Sequence, residues 1–412
     1  MNGHRQWSTK NPSLFRNLPE DLIPQILVRL PVRSLLRFKS VCKSWRSLIS
    51  DPKFGKSHFD LAASPTHRCL TLAHGSEIES IDVDASLQNS ESSVVNLKFP
   101  PSLSRPYNPV EFFGSCRGFV LVAYDQDDVV VWNPSTGDRR RIAGIGDSFY
   151  SAHGFGYDKS TDDYLIVIIN LIPFDDYCDY DDPDIIAAYP NHISIYSLKT
   201  NSWVFQEGPN VRYVDLEYCE FLVGCLLNEA LHWLVISSET KRHVIIAFDL
   251  VDRSLSEIPL TPVLARKLKH REYHLRVMGG CLSLCYPGDL ASGTEIWMMK
   301  EYKVQSSWTK LFVFRISNNP YDVVFYPICF TKLGEIFGSN GRGRLMIFND
   351  KERRPDQYTF VPKPHKTFTY RERLLHCGMY RETLLSFPDD FEEASEDDKL
   401  KFSREKASED DK

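Results

Sequence analysis

Apolar residues follow two different rules along this chain. Up to about residue 50 they recur at helical spacing: Leu22, Ile26 and Leu30 fall four apart, with Ile23 and Leu27 beside them, one wide apolar stripe. Pro19 suits the first turn of that helix, where its missing N–H is no loss. Pro31 stops it after Leu30, because the residue before a proline avoids helical geometry. Pro24 lacks a donor that an established helix would use, so the helix is expected to start late or bend. A second short helix is predicted around Leu35, Leu36 and Phe38. A third is predicted around Val41, Cys42, Trp45, Leu48 and Ile49, ending before Asp51-Pro52. About 40 residues cannot bury enough surface to be stable without disulfides, a metal or a partner. Yet these helices carry apolar residues on more than one face. Either the module packs onto the rest of the chain or another protein completes its core.

Past residue 60 the helical spacing disappears, and short runs of Val, Ile and aromatics alternate with turn clusters. One unit recurs: an apolar or aromatic strand, a turn, then a polar strand. Its copies are WNPSTGDRRR (132–141), YSLKTNSWVF (196–205), FDLVDRSLSEI (248–258), WMMKEYKVQSSWTKLF (297–312) and FNDKERRPDQY (348–358). They are anchored on Trp132, Tyr196, Phe248, Trp297 and Phe348, at intervals of 64, 52, 49 and 51. A weaker first copy, SIDVDASLQ, begins at Ser80, 52 residues before Trp132. A period of about 50 is that of a kelch-like β-propeller blade of four strands. Six anchors predict six blades and leave a seventh open. Glycine-bearing strands precede several anchors (GSCRGFVLV, GFGYD, MGGCLSLC), as close approaches near a propeller axis require. The long interval holds PFDDYCDYDDPD (173–184), whose six aspartates read as an inserted loop. Clustered oxygens suit calcium, but the regular spacing of a calcium loop is absent, and a solvated acidic loop is the reading adopted.

Composition adds a charge asymmetry. The chain of 412 residues has net charge −6. Residues 389–412 carry eleven acidic and five basic side chains, the whole of that excess, while residues 15–59 carry nine basic and three acidic, or +6. A basic module on a near-neutral body suggests an acidic protein partner rather than nucleic acid, which would call for a broad basic face with base-reading groups. The tail repeats EASEDDK (393–399) as KASEDDK (406–412) and is expected to be disordered, with Ser395 and Ser408 as candidate phosphosites in an acidic context. No run reaches the ~18 apolar residues of a membrane span, and the N-terminus lacks a signal-peptide core. An intracellular protein, in cytoplasm and nucleus, is expected. The ten cysteines lack zinc-knuckle spacing and read as free thiols, most of them buried. The expected division is a flexible N-terminus (1–14), a helical module (15–59), a propeller (60–388) and the tail (389–412).

Catalytic patterns are missing from the sequence: it has no nucleophile elbow, no His-Glu-x-x-His and no phosphate-binding glycine loop. No cofactor or metal is called for. His232-Trp233 is a pocket candidate, but it lies in the strand LHWLV, where packing is the default. Arg139-Arg140-Arg141, the stretch 266–271 and the acidic loop are candidate surfaces, each read as solvated.

The run LPEDLIPQILVRLPVRSLLRFKSVCKSWRSLISDPKF (18–54) resembles an F-box, with its Leu-Pro opening, the second Leu-Pro pair, Ser34-Leu35 and the Val-Cys-Lys-Ser-Trp core. The resemblance implies docking to the small acidic Skp-type adaptor of a cullin ligase, and through it to the cullin and its RING subunit. The matching positions are Leu18, Pro19, Leu22, Ile26, Leu27, Leu30, Pro31, Leu35, Leu36, Val41 and Trp45. The strand motifs, among them VWNPSTGDRRRI, GFGYDKSTDDY, ISIYSLKTNSW and LLNEALHWL, resemble the F-box-associated domain of a large plant family, over roughly residues 60–388. Arg117 stands where that family usually has Asn, Glu229 where it has Gly, and Leu165 where it has Lys; these are expected to affect local turns and the surface. The family includes pollen self-incompatibility receptors and repressors of immune-receptor accumulation, and this chain is more similar to the latter. The resemblance implies a non-catalytic substrate receptor that presents an unknown target for ubiquitination and proteasomal degradation. The other readings are a propeller binding a glycan or small molecule, and a ligase-independent scaffold.

Overall fold

A computed structural model describes residues 22–388 except 62–66, 73–76, 87–93, 99–110, 124–128, 144–150, 174–190, 209–210, 217–221, 269–272, 287–292, 315–324, 341–344, 349–357 and 361–376. Leu18, Pro19, the aspartate-rich stretch from 174 and the tail with Ser395 and Ser408 lie outside the described residues.

Four helices open the chain: α1 (Leu22–Leu27), α2 (Val32–Phe38), α3 (Lys43–Ser50) and α4 (Pro52–Leu61). The described part of α1 begins at Leu22, two residues before Pro24. The Val28 N–H still donates to the Pro24 carbonyl at 3.0 Å. Hydrophobic periodicity does not announce α4, but local chemistry does. Asp51 ends α3 in extended geometry, its Oδ1 accepts from the Lys53 N–H at 2.8 Å, and Pro52 takes the first helical position.

Most of the remaining described chain forms six sheets, antiparallel but for one short parallel pair, the blades of a propeller; short helices also occur at Val83–Ser86 and Pro262–Leu268. Blade one comprises Cys377–Arg381, His67–Leu72, Glu77–Asp82 and Val94–Lys98 from the axis outward. Blade two is Glu111–Cys116, Phe119–Ala123, Val129–Trp132 and Arg139–Ile142; blade three is Ser151–Asp158, Asp163–Asn170, His192–Ser197 and Ser202–Glu207. Blade four is built on Ala230–Ser237, Arg242–Asp249 and Leu255–Ile258. Blade five is His274–Met278, Cys281–Tyr286, Thr294–Met299 and Trp308–Phe314; blade six is Phe325–Phe330, Ile336–Asn340, Leu345–Phe348 and Tyr358–Phe360. Ser80 and the five repeat anchors all lie on the third strand of a blade. The recurring polar strand is the outer one, as in Ser202–Glu207, where no residue is buried.

Middle strands read as unbroken apolar runs because both of their faces are covered. In Phe119–Ala123, Phe119, Leu121 and Ala123 pack toward blade three, while Val120 and Val122 pack toward blade one. Six such clusters, one between each pair of neighbouring blades, close into a ring. Leu165, where Lys is usual, lies in the cluster between blades three and four and is buried, so this departure concerns the core rather than the surface. Arg117 (φ 51°) and Glu229 (φ 63°) occupy left-handed turn positions, which explains why Asn and Gly are usual there.

Two features are invisible in the repeat. The inner edge of blade four is split. Tyr213–Val214 pairs with one end of Ala230–Ser237 and Cys225–Leu227 with the other, while Leu222–Val223 crosses to run parallel to Ala152 and His153 of blade three. And the ring closes through chain ends distant in sequence, with Arg68 opposite Tyr380 and Cys69 opposite Met379. Turns between first and second strands emerge on one face of the propeller, the face that carries the helices. The strands flanking 99–110, 144–150, 174–190, 315–324 and 361–376 end on the other.

Candidate docking face and the junction beneath it

The helical module divides its apolar residues between two surfaces. Leu27, Val28, Val32, Leu35, Ile49 and Phe54 form a buried cluster, with Ile23, Leu30, Leu36, Phe38, Trp45 and Leu48 packed at its edge. The seventh buried member is Leu384, from the far end of the chain. The module therefore does pack onto the propeller. What remains outside up to the start of α3 is Leu22 (38% exposed) and Ile26 (48%), one turn apart on α1, together with Pro31 and Val41 (60%); Leu61, at the end of α4, is exposed as well. Of the positions singled out by resemblance, these four are exposed; Leu30, Leu36 and Trp45 are half-buried, and Trp45 stands edge-on to Phe38 at 5.5 Å. Leu27 and Leu35 belong to the module's own core. Helical spacing cannot separate these sets, since each helix is apolar on both sides.

The same module carries a set of exposed or half-exposed cations. Arg29, Arg37, Lys39, Lys43, Arg46 and Lys53 form no ion pair among the described residues. Cations of the same module that face the propeller are paired. Arg33 Nε donates to Glu382 Oε1 at 3.0 Å, and Lys56 Nζ to Asp162 Oδ2 at 3.1 Å.

The junction is built mainly by residues 381–388. Gly55 of α4 approaches the Leu384 carbonyl so closely that a Cβ would lie 2.8 Å from its oxygen. Leu384 faces the module, whereas its neighbour Leu385 joins the cluster between blades two and three. Buried Asn133 donates to the Leu385 carbonyl at 3.0 Å. Arg68 is almost wholly buried. It donates to Ser80 Oγ at 2.6 Å and to the Ser80 carbonyl at 2.7 Å, and pairs with Asp82 at 3.5 Å and Glu382 at 3.6 Å. Glu382 thus links α2 to blade one. His58 Nε2 donates to the Leu30 carbonyl at 2.8 Å, and burial holds its pKa below the ordinary value although this bond works in the opposite direction.

The other candidates are structural. His232 Nε2 lies 2.7 Å from the Tyr302 hydroxyl and Nδ1 3.1 Å from the Cys225 carbonyl, and burial pushes its pKa down to about 4. Arg140 donates to the Leu198 carbonyl at 2.6 Å and stacks on Phe387, and Lys267 pairs with buried Glu295 at 2.7 Å. Among the described residues no group of three His, Cys, Asp or Glu could hold a metal ion, the cysteines are free thiols, and no helix is long and apolar enough to cross a membrane.

Comparison with known proteins agrees with this division. Residues 15–57 match the F-box domain, and residues 70–373 match the F-box associated beta propeller domain. The chain belongs to the F-box proteins that carry this propeller. Similar relatives are Arabidopsis thaliana proteins. "F-box protein CPR1" is 29% identical over 316 residues, covering 72% of each chain. An F-box/kelch-repeat protein is 30% identical over 315 residues, covering 72% of this chain and 79% of the relative.

Proposed function

We propose that the chain is the substrate-recognition subunit of an SCF-type ubiquitin ligase. The observation that carries this reading is the exposed apolar set Leu22, Ile26, Pro31 and Val41 on a module whose cations Arg29, Arg37, Lys39, Lys43, Arg46 and Lys53 form no ion pair among the described residues. A surface of that kind fits an acidic adaptor with an apolar centre. With the helices on one propeller face, the opposite face, where the long connections begin and end, is left for the target. The chain itself performs no chemistry; it raises the concentration of target lysines near the ubiquitin carrier held by the RING subunit. Phosphorylation of Ser395 and Ser408 is a further proposal of this reading, as are residence in cytoplasm and nucleus and a role in plant defence.

Co-expression with a Skp-type adaptor, followed by size-exclusion chromatography, tests the ligase role. The wild type should elute as a stoichiometric complex. The double variant Ile26→Asp, Val41→Asp should weaken it by about 100-fold or more, because two side chains worth ~1.5–3 kcal/mol each on full burial are replaced by charges that resist it. Both positions are exposed, so the propeller and the module core stay folded. A variant that still co-elutes with the adaptor refutes the assignment of this face.

A further inference from the structure

Two guanidinium groups from different segments lie against one ring of α4, that of Phe59. Arg381 ends the innermost strand of blade one, and its Cζ lies 3.8 Å from the centroid of the Phe59 ring. Arg117, in the first turn of blade two, lies 4.6 Å from the same ring and 4.1 Å from that of Tyr157. Beside them is a cavity of about 270 Å³ whose lining includes Phe59, His67, Arg117, Tyr380 and Arg381 and no carboxylate. Its volume is that of about nine waters in the liquid, room for a phosphate bearing a small organic group.

The Arg117 guanidinium lies between the Phe59 and Tyr157 rings, is hydrogen-bonded to Tyr164 and feels the Asp162 charge, and Arg381 donates to the Phe59 carbonyl. Burial and then the Arg117 charge lower the Arg381 pKa, and burial and then Arg381 lower that of His67. The Arg117 Nε is buried with no hydrogen-bond partner. Nearby acids are engaged or lie outside the lining. Glu382 serves Arg33 and Arg68; Asp162 accepts from Lys56 and Tyr157; Asp60 is exposed on α4.

The backbone supplies an independent observation. Arg117 is held at φ 51°, a conformation that suits Asn or Gly and is unfavourable for a long side chain. The turn itself does not need arginine there; the guanidinium is what arginine adds.

We propose that Arg117 and Arg381, with His67 at the rim, bind a small oxyanion of the phosphate class that locks the F-box onto the propeller. The anion neutralises two like charges and bridges segments contributed by blades one and two under α4. The site stands whether or not the exposed helical face binds an adaptor.

The test is thermal unfolding of the full chain in inorganic phosphate and in pyrophosphate, against chloride at matched ionic strength. At about tenfold excess over the dissociation constant, at least one of the two should raise the wild-type midpoint by about 2 °C. Arg117→Asn should lose that rise while unfolding in chloride at the wild-type midpoint or above it, because Asn fits the backbone better. Arg139→Gln, which removes an exposed cation from the outer strand of blade two, should keep the rise. No rise with either anion in the wild type overturns the proposal, and so does an equal rise in Arg117→Asn, which would put the anion elsewhere.

Discussion

Replacing Leu384 with alanine should loosen a helical module that begins more than 300 residues earlier. The side chain is only 8% exposed and packs among Leu27, Val28, Val32, Leu35, Ile49 and Phe54. Leucine-to-alanine changes in such surroundings cost about 2–5 kcal/mol, the lost transfer energy plus the cavity. A module of about 40 residues holds no more than a few kcal/mol of its own, so a loss of about 3 kcal/mol removes much of what keeps it closed. In population terms that is on the order of 100-fold more of the locally open form. Hydrogen exchange gives a direct reading: amides of α2 and α3 should exchange about 100-fold faster, while those of Phe119–Ala123 in blade two stay at wild-type rates. Adaptor affinity should fall with them although Leu384 is not part of the exposed face, because only the closed fraction binds. If α2 and α3 exchange within about threefold of the wild type, Leu384 is not the keystone of the module described here.

Gly55→Ala should act at the same junction from the other side: its Cβ would lie 2.8 Å from the Leu384 carbonyl oxygen, and the loss, about 1–3 kcal/mol, should appear as faster exchange in α4. Glu229→Gly should stabilise the propeller by about 0.5 kcal/mol in urea unfolding. Relief of the left-handed strain, ~1–2 kcal/mol, outweighs the added chain entropy and an exposed ion pair with Lys159; a loss of stability would contradict that balance. Burial raises Asp215 to about 7, against which the Leu216 N–H at 2.7 Å works only in part. The folded protein therefore holds a proton there that the unfolded chain releases near pH 4. Stability should fall as pH rises from about 4 to 7, and Asp215→Asn should be more stable than the wild type at pH 8 but not at pH 4. Equal urea midpoints of the two proteins at pH 8 would refute this.

The sequence exposes those parts of the fold that repeat or that obey a period. Ser80, Trp132, Tyr196, Phe248, Trp297 and Phe348 mark the third strand of every blade because an apolar strand, a tight turn and a solvent-facing strand leave a local pattern. Spacing shows the three short helices near the start, and the F-box among them is legible by the resemblance of its Leu-Pro pairs and Val41-Cys42-Lys43-Ser44-Trp45 core. What stays hidden depends on contacts between distant segments. Nothing in the stretch Cys377–Arg381 says that it completes the first blade rather than a seventh, and nothing about Leu384 assigns it to a core formed by residues 27–54. The apolar stripe on α1 holds both Ile26, exposed, and Leu27, buried, and the 3.6-residue period is blind to which side meets the rest of the chain. Other signals are present and easily passed over. Asp51-Pro52 opens α4 by capping alone, without help from hydrophobic spacing. Arg117 and Glu229 matter as backbone conformations, which side-chain reasoning about turns and surfaces does not reach.

The position of Leu384 also sets a clock. The F-box leaves the ribosome first, but the residue that fills its core follows Leu35 by 349 positions. At synthesis rates of about 5–20 residues per second, that interval is roughly 17–70 seconds. Through that time the helices wait without their last contact, and the strand that closes the ring, Cys377–Arg381, arrives only just before it. On the proposed reading, a nascent chain is therefore a poor recruit for a ligase until its propeller has shut. Competence to dock and completeness of the receptor are reached together, and a chain truncated before Leu384 should fail at both.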